Sequence, residues 1–152
     1  MTVELRDEPL DGPAAQALLQ AFTHDIVERY PTWTPDSGPS AGPQDLAPPA
    51  GRFVVAYDAD VPVGCAGFKR LSTEIAEVKR MYVAPARRGV GLGRRLLQHL
   101  EQAARQAGYV ATRLDTGDRQ PEALALYRDA GYREIDDYNG NPFATYWFEK
   151  EL

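Results

Sequence analysis

Three alternating glycines, Gly89, Gly91 and Gly93, constrain the fold most strongly, because they separate a strand-like segment from a leucine-rich helix. The segment from 77 to 83 is predicted to be a strand, and leucines at helical spacing begin at position 92. The first N–H groups of a helix have no intrahelical partner, and the helix dipole adds positive potential there. Glycine lacks Cβ, so an anion can approach this backbone closely. The segment therefore predicts a phosphate or pyrophosphate site.

Composition excludes several other classes of protein. The 152 residues fit one domain, and we expect residues 1–152 to form it. A net charge of −5 argues against nucleic acid as a partner. No apolar run approaches the ~20 residues that span a bilayer, so no membrane partner is expected. The N-terminus does not resemble a signal peptide, and one cysteine suits a reducing compartment, which together favour a cytoplasmic location. No Cys/His spacing is typical of a metal site.

Hydrophobic periodicity and turn residues give the order of the elements. Six of the twelve prolines fall between residues 31 and 51, where we expect a functional loop, or else a flexible linker. The order predicts an α/β fold in which a mixed (α+β) sheet of six to seven strands carries helices on both faces. The predicted strands are 3–6, 52–57, 61–69, 75–83, 110–116, 132–135 and 144–149, and the predicted helices are 11–30, 92–107 and 121–130.

Two common phosphate-binding motifs do not match the glycine loop. A P-loop has Lys and then Ser or Thr after its last glycine, whereas Arg94 and Arg95 follow Gly93 here. A dinucleotide fingerprint has the pattern G-x-G-x-x-G, whereas these glycines alternate. The pattern that does fit is R-x-x-G-x-G after a strand that ends in Met-Tyr-Val-x-Pro.

With these residues the chain resembles the GNAT superfamily of acetyl-CoA-dependent N-acetyltransferases. Arg88, Gly91 and Gly93 match its pyrophosphate-loop motif, and residues 123–132 resemble its second signature, a short helix with a tyrosine before Gly-Phe/Tyr. The matching region spans about residues 52–135. The resemblance implies transfer of an acetyl group from acetyl-CoA to a primary amine by direct attack in a ternary complex. The alternative is a CoA-binding regulatory or sensor module without turnover.

The resemblance also implies which residues hold the cofactor. Backbone amides of the glycine loop would bind the pyrophosphate, and main-chain groups of the preceding strand would pair with the pantetheine arm. Gln120 stands where family members often have asparagine. The implied cofactor-binding residues are Met81, Tyr82, Val83, Arg88, Gly89, Val90, Gly91, Leu92, Gly93, Arg94 and Gln120.

Two side chains are the candidates for proton transfer. Tyr127 occupies the family position of the general acid toward the CoA sulfur, and Glu77 is the candidate base, acting through water. Glu74 or water alone are the alternatives to Glu77. Strand alternation predicts positions 77, 79, 81 and 83 on one face and 78, 80 and 82 on the other. Cys65 lies in a small-residue strand, which favours a buried structural cysteine over an acyl-enzyme nucleophile.

The acceptor is the part that the sequence defines least. Tyr30, Trp33 and Tyr138 are candidate aromatic walls, and Trp147 is a fourth. The carboxylates at 134, 136 and 137 would attract a cationic amine. We therefore expect a small-molecule or peptide amine as acceptor, no metal ion, and, because superfamily members are often dimers, a homodimer as one outcome.

Overall fold

The strands form one mixed sheet in the order β1-β2-β3-β4-β5-β7-β6. The computed structural model describes residues 2–152, and within them β4 and β5 are the parallel neighbours, whereas the other neighbours are antiparallel. This confirms the predicted mixed sheet. The strands are β1 (Val3–Asp7), β2 (Arg52–Asp58), β3 (Val61–Arg70), β4 (Ile75–Val83), β5 (Ala111–Thr116), β6 (Arg133–Ile135) and β7 (Tyr146–Glu151). The helices are α1 (Pro13–Arg29), α2 (Leu92–Gln106) and α3 (Pro121–Asp129), and a 3-10 turn covers Pro85–Arg87.

Helices cover both faces of the sheet, as predicted. Alternate residues of β2 point to opposite sides, so that Val54 packs with α2 and Val55 packs with α1. We call these two sets of buried side chains the α2-side core and the α1-side core. Tyr127 of α3 belongs to the α2-side core. The segment 31–51 contains no helix or strand, but it folds onto the α1 side, where Ala41 and Leu46 are buried. It therefore belongs to the fold and is not a free linker.

Local signals predicted most element ends to within a few residues. The β2–β3 hairpin turns at Ala59 and Asp60, whose φ angles of 49° and 68° are the left-handed values of a tight hairpin turn. Helix α2 stops at residue 106, and Gly108 follows it with φ 99°. Ala107, the last residue of the predicted helix 92–107, is exposed and lies just beyond the end of α2. The last strand runs from 146 to 151 and not from 144 to 149.

An irregularity in β4 overturns the predicted alternation. Residues 79 to 82 of β4 lie opposite residues 67 to 65 of β3, so β4 carries one extra residue, and Arg80 adopts a φ of 60°. Val78 consequently packs in the α2-side core and Tyr82 in the α1-side core. The prediction that both share a face is wrong, because a bulge reverses the side of every later residue.

The bulge lies where β4 and β5 separate. Their parallel pairing covers Ile75 to Glu77 against Ala111 to Arg113, and in the described chain no later residue of β4 pairs with β5. The free edge of β4 and the carboxyl end of β5 therefore border an opening. In open α/β sheets, ligands bind in a crevice of this kind, at the carboxyl ends of the strands. Within residues 2–152 no helix is long and apolar enough to cross a membrane.

Candidate functional site

Two adjoining cavities lie at the opening between β4 and β5. The first, of about 220 Å³, lies against the glycine loop, and we call it the loop cavity. The second, of about 170 Å³, lies beneath several rings, and we call it the aromatic cavity. They share four lining residues, Phe22, Met81, Gln120 and Ala123. Two ligands bound in the two cavities would therefore meet beside Met81.

The glycine loop presents unpaired amides to the loop cavity. Gly89 and Gly91 have φ angles of 82° and 86°, and no atom lies within 4 Å of where a Cβ would stand at either position. Gly91 precedes the first turn of α2, whose first helical bond runs from the Arg95 amide to the Gly91 carbonyl at 3.1 Å. The amides of residues 92–94 therefore have no intrahelical acceptor. This geometry suits a phosphate group.

The arginines of the loop are occupied by protein partners. Arg88 donates from Nε to the Val83 carbonyl at 2.9 Å, and its Nη2 lies 3.6 Å from the Asp25 carboxylate. Arg87 forms an ion pair with Asp58. These side chains shape the loop and add positive potential, so that direct anion contacts fall to the backbone amides.

The aromatic cavity has a wall of rings from α1, from the segment after it, and from the turn before β7. Its rings belong to Phe22, Tyr30, Trp33 and Phe143. The Tyr30 hydroxyl accepts a hydrogen bond from the Arg119 amide at 3.0 Å, and its ring meets Phe143 edge to face at 6.0 Å. The wall is therefore fixed by contacts within the protein. It suits a flat or apolar acceptor body.

Tyr127 reaches the aromatic cavity from α3. Its ring packs against Tyr132 and Phe148, with centroids 6.1 and 6.3 Å away. Its hydroxyl has no hydrogen-bond partner among residues 2–152, although the side chain lines the cavity. Burial, and secondarily the negative charge of Asp115, raises the pKa of this phenol. The hydroxyl therefore keeps its proton and is free to donate it as a hydrogen bond.

Glu77 on β4 and Asp115 on β5 are the carboxylates of the two strands that border the opening, and of this pair only Asp115 lines a cavity. Asp115, at the end of β5, lines the aromatic cavity, and its Oδ2 accepts hydrogen bonds from Asn139 at 2.6 Å and Asn141 at 3.3 Å. Glu77 is 1% exposed, and its Oε2 accepts bonds from the Tyr138 hydroxyl at 2.6 Å and from Asn139 at 3.1 Å. The Asn139 amide thus bridges the two acids.

Comparison with known proteins identifies the family. Residues 16–132 match the model of the acetyltransferase (GNAT) family. The chain belongs to the GNAT acetyltransferase family. It is 38% identical to IAA acetyltransferase of Azospirillum brasilense over 152 residues, which cover 97% of this chain and 95% of that protein. Membership of this family establishes that the protein is an acyltransferase enzyme.

Solved structures share the fold of this GNAT acetyltransferase. A GNAT-family acetyltransferase of Staphylococcus aureus superposes with a TM-score of 0.81 at 19% identity, covering 99% of each chain. A GNAT-family acetyltransferase of Elizabethkingia anophelis, solved with acetyl-CoA bound, superposes with a TM-score of 0.69 at 18% identity, covering 99% of this chain and 98% of that one. Both confirm the predicted fold class.

Most of the predicted cofactor residues of this GNAT acetyltransferase come together at the loop cavity. Val90 differs, since it is 60% exposed and does not line the cavity. Gln120 is the N-cap residue of α3, but its side chain makes no capping hydrogen bond. It lines both cavities. Their roles in binding remain predictions. The predicted cofactor residues that line the loop cavity are Met81, Tyr82, Val83, Arg88, Gly89, Gly91, Leu92, Gly93, Arg94 and Gln120.

The predicted acceptor residues of the GNAT acetyltransferase divide into two groups. Tyr30 and Trp33 line the aromatic cavity, whereas Tyr138 does not and instead binds Glu77. Trp147 donates to the Asn139 side chain at 2.9 Å and also lies outside. The acidic residues at 134, 136 and 137 are exposed and do not line the cavity. Sequence adjacency grouped these residues, but the turn before β7 points them elsewhere.

The cysteine and the two histidines of the GNAT acetyltransferase line neither cavity. Cys65 is fully buried, and burial raises the pKa of its thiol to about 12. His24 and His99 pair with Glu28 and Asp7 on the surface. Neither a thiolate nor an imidazole therefore faces the opening, which favours direct transfer.

Sequence reasoning missed several residues that line the aromatic cavity, among them Asp115, Phe22 and Arg80. Asp115 follows a buried strand run, and its place at the carboxyl end of β5 was the signal that could have found it. Phe22 lies within the predicted helix 11–30 and was not among the candidate acceptor residues. Arg80 was assigned to the opposite face from Met81 by alternation, and the bulge brings both to the cavity.

Proposed function

We propose that residues 1–152 form a single N-acetyltransferase domain that transfers an acetyl group from acetyl-CoA to a primary amine. The two substrates would bind together, and the amine would attack the thioester directly. The observation that carries the proposal is the junction of the two cavities at Met81 and Gln120, with the unpaired Tyr127 hydroxyl lining one of them.

The loop cavity is the proposed site of acetyl-CoA, which supplies an activated acetyl thioester. The amides of residues 92–94 would hold the pyrophosphate, and the open space over Gly89 and Gly91 would admit it. The unpaired edge of β4 beyond Glu77 would bind the pantetheine amides as an added strand does. The Val83 carbonyl already accepts a bond from Arg88, so its second lone pair would serve.

Tyr127 is the proposed donor to the leaving sulfur. Because the raised pKa makes the phenol a weaker acid than a thiol of pKa ~8.5, complete proton transfer to the thiolate is unfavourable. The hydroxyl would therefore stabilise the developing negative charge by donating a hydrogen bond.

Removal of the amine proton is proposed to involve a carboxylate. Glu77 was the general base predicted from the sequence. Its carboxylate accepts hydrogen bonds from Tyr138 and Asn139, and it forms an ion pair with Lys79 at 3.3 Å. Asp115 lines the aromatic cavity and is the carboxylate placed to meet an acceptor amine directly. We therefore propose Asp115 as the group that orients the amine, and retain Glu77 as the competing candidate.

Calorimetric titration with acetyl-CoA, with ATP as the control, tests the first half of the proposal. We expect saturable micromolar binding of acetyl-CoA and none of ATP. A panel of primary amines, with CoA release as the readout, tests the second half. IAA is assayed separately beside the amines, because IAA acetyltransferase of A. brasilense is 38% identical. Tight acetyl-CoA binding without turnover of any acceptor would favour the sensor module, and absence of binding would reject both.

A further inference from the structure

An arginine without a carboxylate partner lines the aromatic cavity. Arg80 also lines a third cavity of about 130 Å³, which lies under the segment 31–51 and shares Phe22, Trp33, Lys79 and Asn141 with the aromatic cavity. The Arg80 side chain forms no ion pair among residues 2–152. It therefore brings an uncompensated positive charge to the place where the proposed acceptor would bind.

The one hydrogen bond of the Arg80 side chain leaves most of the guanidinium donors unused. Nη2 donates to the Ala41 carbonyl at 2.9 Å, which attaches the segment 31–51 to β4. A guanidinium has five N–H donors in a planar fork. A purely structural attachment needs one of them. Burial lowers the pKa of Arg80, which indicates that the charge is poorly solvated.

The neighbouring charges do not offset Arg80. Lys79 is compensated, since its Nζ lies 3.3 Å from Glu77. Asp115 is held by two asparagine amides, and among residues 2–152 it forms no ion pair with Arg80. The cavity thus contains a fixed carboxylate for an ammonium group and a guanidinium for an anion.

We propose that the acceptor of this enzyme carries a carboxylate close to its amine, as an amino acid does, and that Arg80 binds that carboxylate. Planar guanidinium and carboxylate groups form paired, charge-assisted hydrogen bonds, which compensate a desolvated charge. The rings of Phe22, Tyr30, Trp33 and Phe143 suit an aromatic or apolar body on the same molecule. The inference rests on the proposed function, because it assigns the aromatic cavity to the acceptor.

Equilibrium binding tests the carboxylate site without requiring turnover. The probes are 3-phenylpropionate and 3-phenylpropanamide, titrated into the CoA-loaded protein. We expect the acid to bind with a Kd at least tenfold lower than that of the amide. Arg80→Gln should raise the Kd of the acid at least tenfold and change that of the amide by less than threefold. Arg105→Gln, which removes the same charge from an exposed position on α2, should change neither.

Two results would overturn the inference. One is equal affinity of the wild-type protein for the acid and the amide, which needs no variant. The other is a parallel loss of both in Arg80→Gln, since a merely structural attachment of the segment 31–51 would affect both probes alike. If Arg80→Gln does not fold, Arg80→Lys serves, because it keeps the charge and loses the fork, and the acid should again weaken selectively.

Turnover separates this inference from the proposed function. With acetyl-CoA, we expect kcat/KM to be higher for phenylalanine than for phenylalaninamide, although the amide has the less basic and more readily deprotonated amine. Selective binding of the acid without acetylation of any acceptor would reject the proposed function and retain the carboxylate site. Acetylation of the amide as fast as the acid would support the proposed function and reject the carboxylate site.

Discussion

At the scale of single residues, Tyr127 shows how burial decides what a side chain can contribute. Its hydroxyl is unpaired at a cavity, and its raised pKa keeps it protonated throughout the neutral and mildly alkaline range. Tyr127→Phe keeps the ring contacts with Tyr132 and Phe148 and removes the donor alone. We expect kcat to fall about tenfold or more, against the ~10²–10⁴ that full general-acid catalysis contributes, with the Kd of acetyl-CoA unchanged.

Steady-state kinetics and calorimetry on the same preparation check this prediction. An unchanged kcat would remove Tyr127 from the mechanism. In the wild-type enzyme, because the pKa of Tyr127 is raised, kcat should not decline near pH 10, where an ordinary tyrosine loses its proton.

The two carboxylates at the opening, Asp115 and Glu77, differ in exposure: Asp115 is partly exposed, whereas Glu77 is buried. Asp115 lines the aromatic cavity, so Asp115→Asn should lower kcat/KM for the amine at least tenfold. Glu77→Gln leaves the partly buried Lys79 without its partner, so we expect it to cost about 1–3 kcal/mol of stability and to change kcat/KM by less than fivefold. Thermal melts together with pH–rate profiles distinguish the two. Loss of the acidic limb of the profile in Glu77→Gln, and not in Asp115→Asn, would instead make Glu77 the base.

At the scale of elements, the two ends of α2 carry a matched pair of glycines. Gly91 and Gly108 flank the same helix, have φ angles of 86° and 99°, and face open space. Any L-residue is strained at both, by roughly 1 kcal/mol. Gly91→Val should raise the Kd of acetyl-CoA at least tenfold, because the side chain would cover the amides of α2. Gly108→Val should cost similar stability and leave the Kd unchanged. Equal affinity in both variants would show that the loop does not hold the cofactor.

At the scale of the whole molecule, cofactor binding should appear as stability. The proposed site joins the loop, β4 and α3, so a ligand there stabilises the folded state alone. At 100 times its Kd, acetyl-CoA contributes about 2.7 kcal/mol. For a chain of 152 residues we expect a rise in Tm of about 5–10 °C, measured by differential scanning fluorimetry. The shift should persist in Tyr127→Phe and fall to about half or less in Gly91→Val, and an equal shift with ATP would contradict the assignment.

Local signals predicted much of the site, and long-range ones did not. The glycine loop depends on steric rules that act within six residues, and ten of its eleven associated positions line one cavity. Tyr138 and the acidic residues beside it were grouped with the acceptor only because they lie near the last strands. Their direction depends on the turn before β7, where Asp137 accepts backbone bonds from residues 139 and 140. No periodicity in the sequence records such a turn.

The amino-acid sequence by itself determined the order of strands and helices, the hairpin and the amide-rich helix start, because glycine stereochemistry and hydrophobic period act locally. The tertiary structure alone decided which charged groups meet at the opening. A single bulge at Arg80 reverses the sides of β4, and the separation of β4 from β5 brings Asp115 to the cavity while Glu77 is enclosed. Register and strand separation are set by packing across the whole sheet, and no short stretch of sequence contains that information.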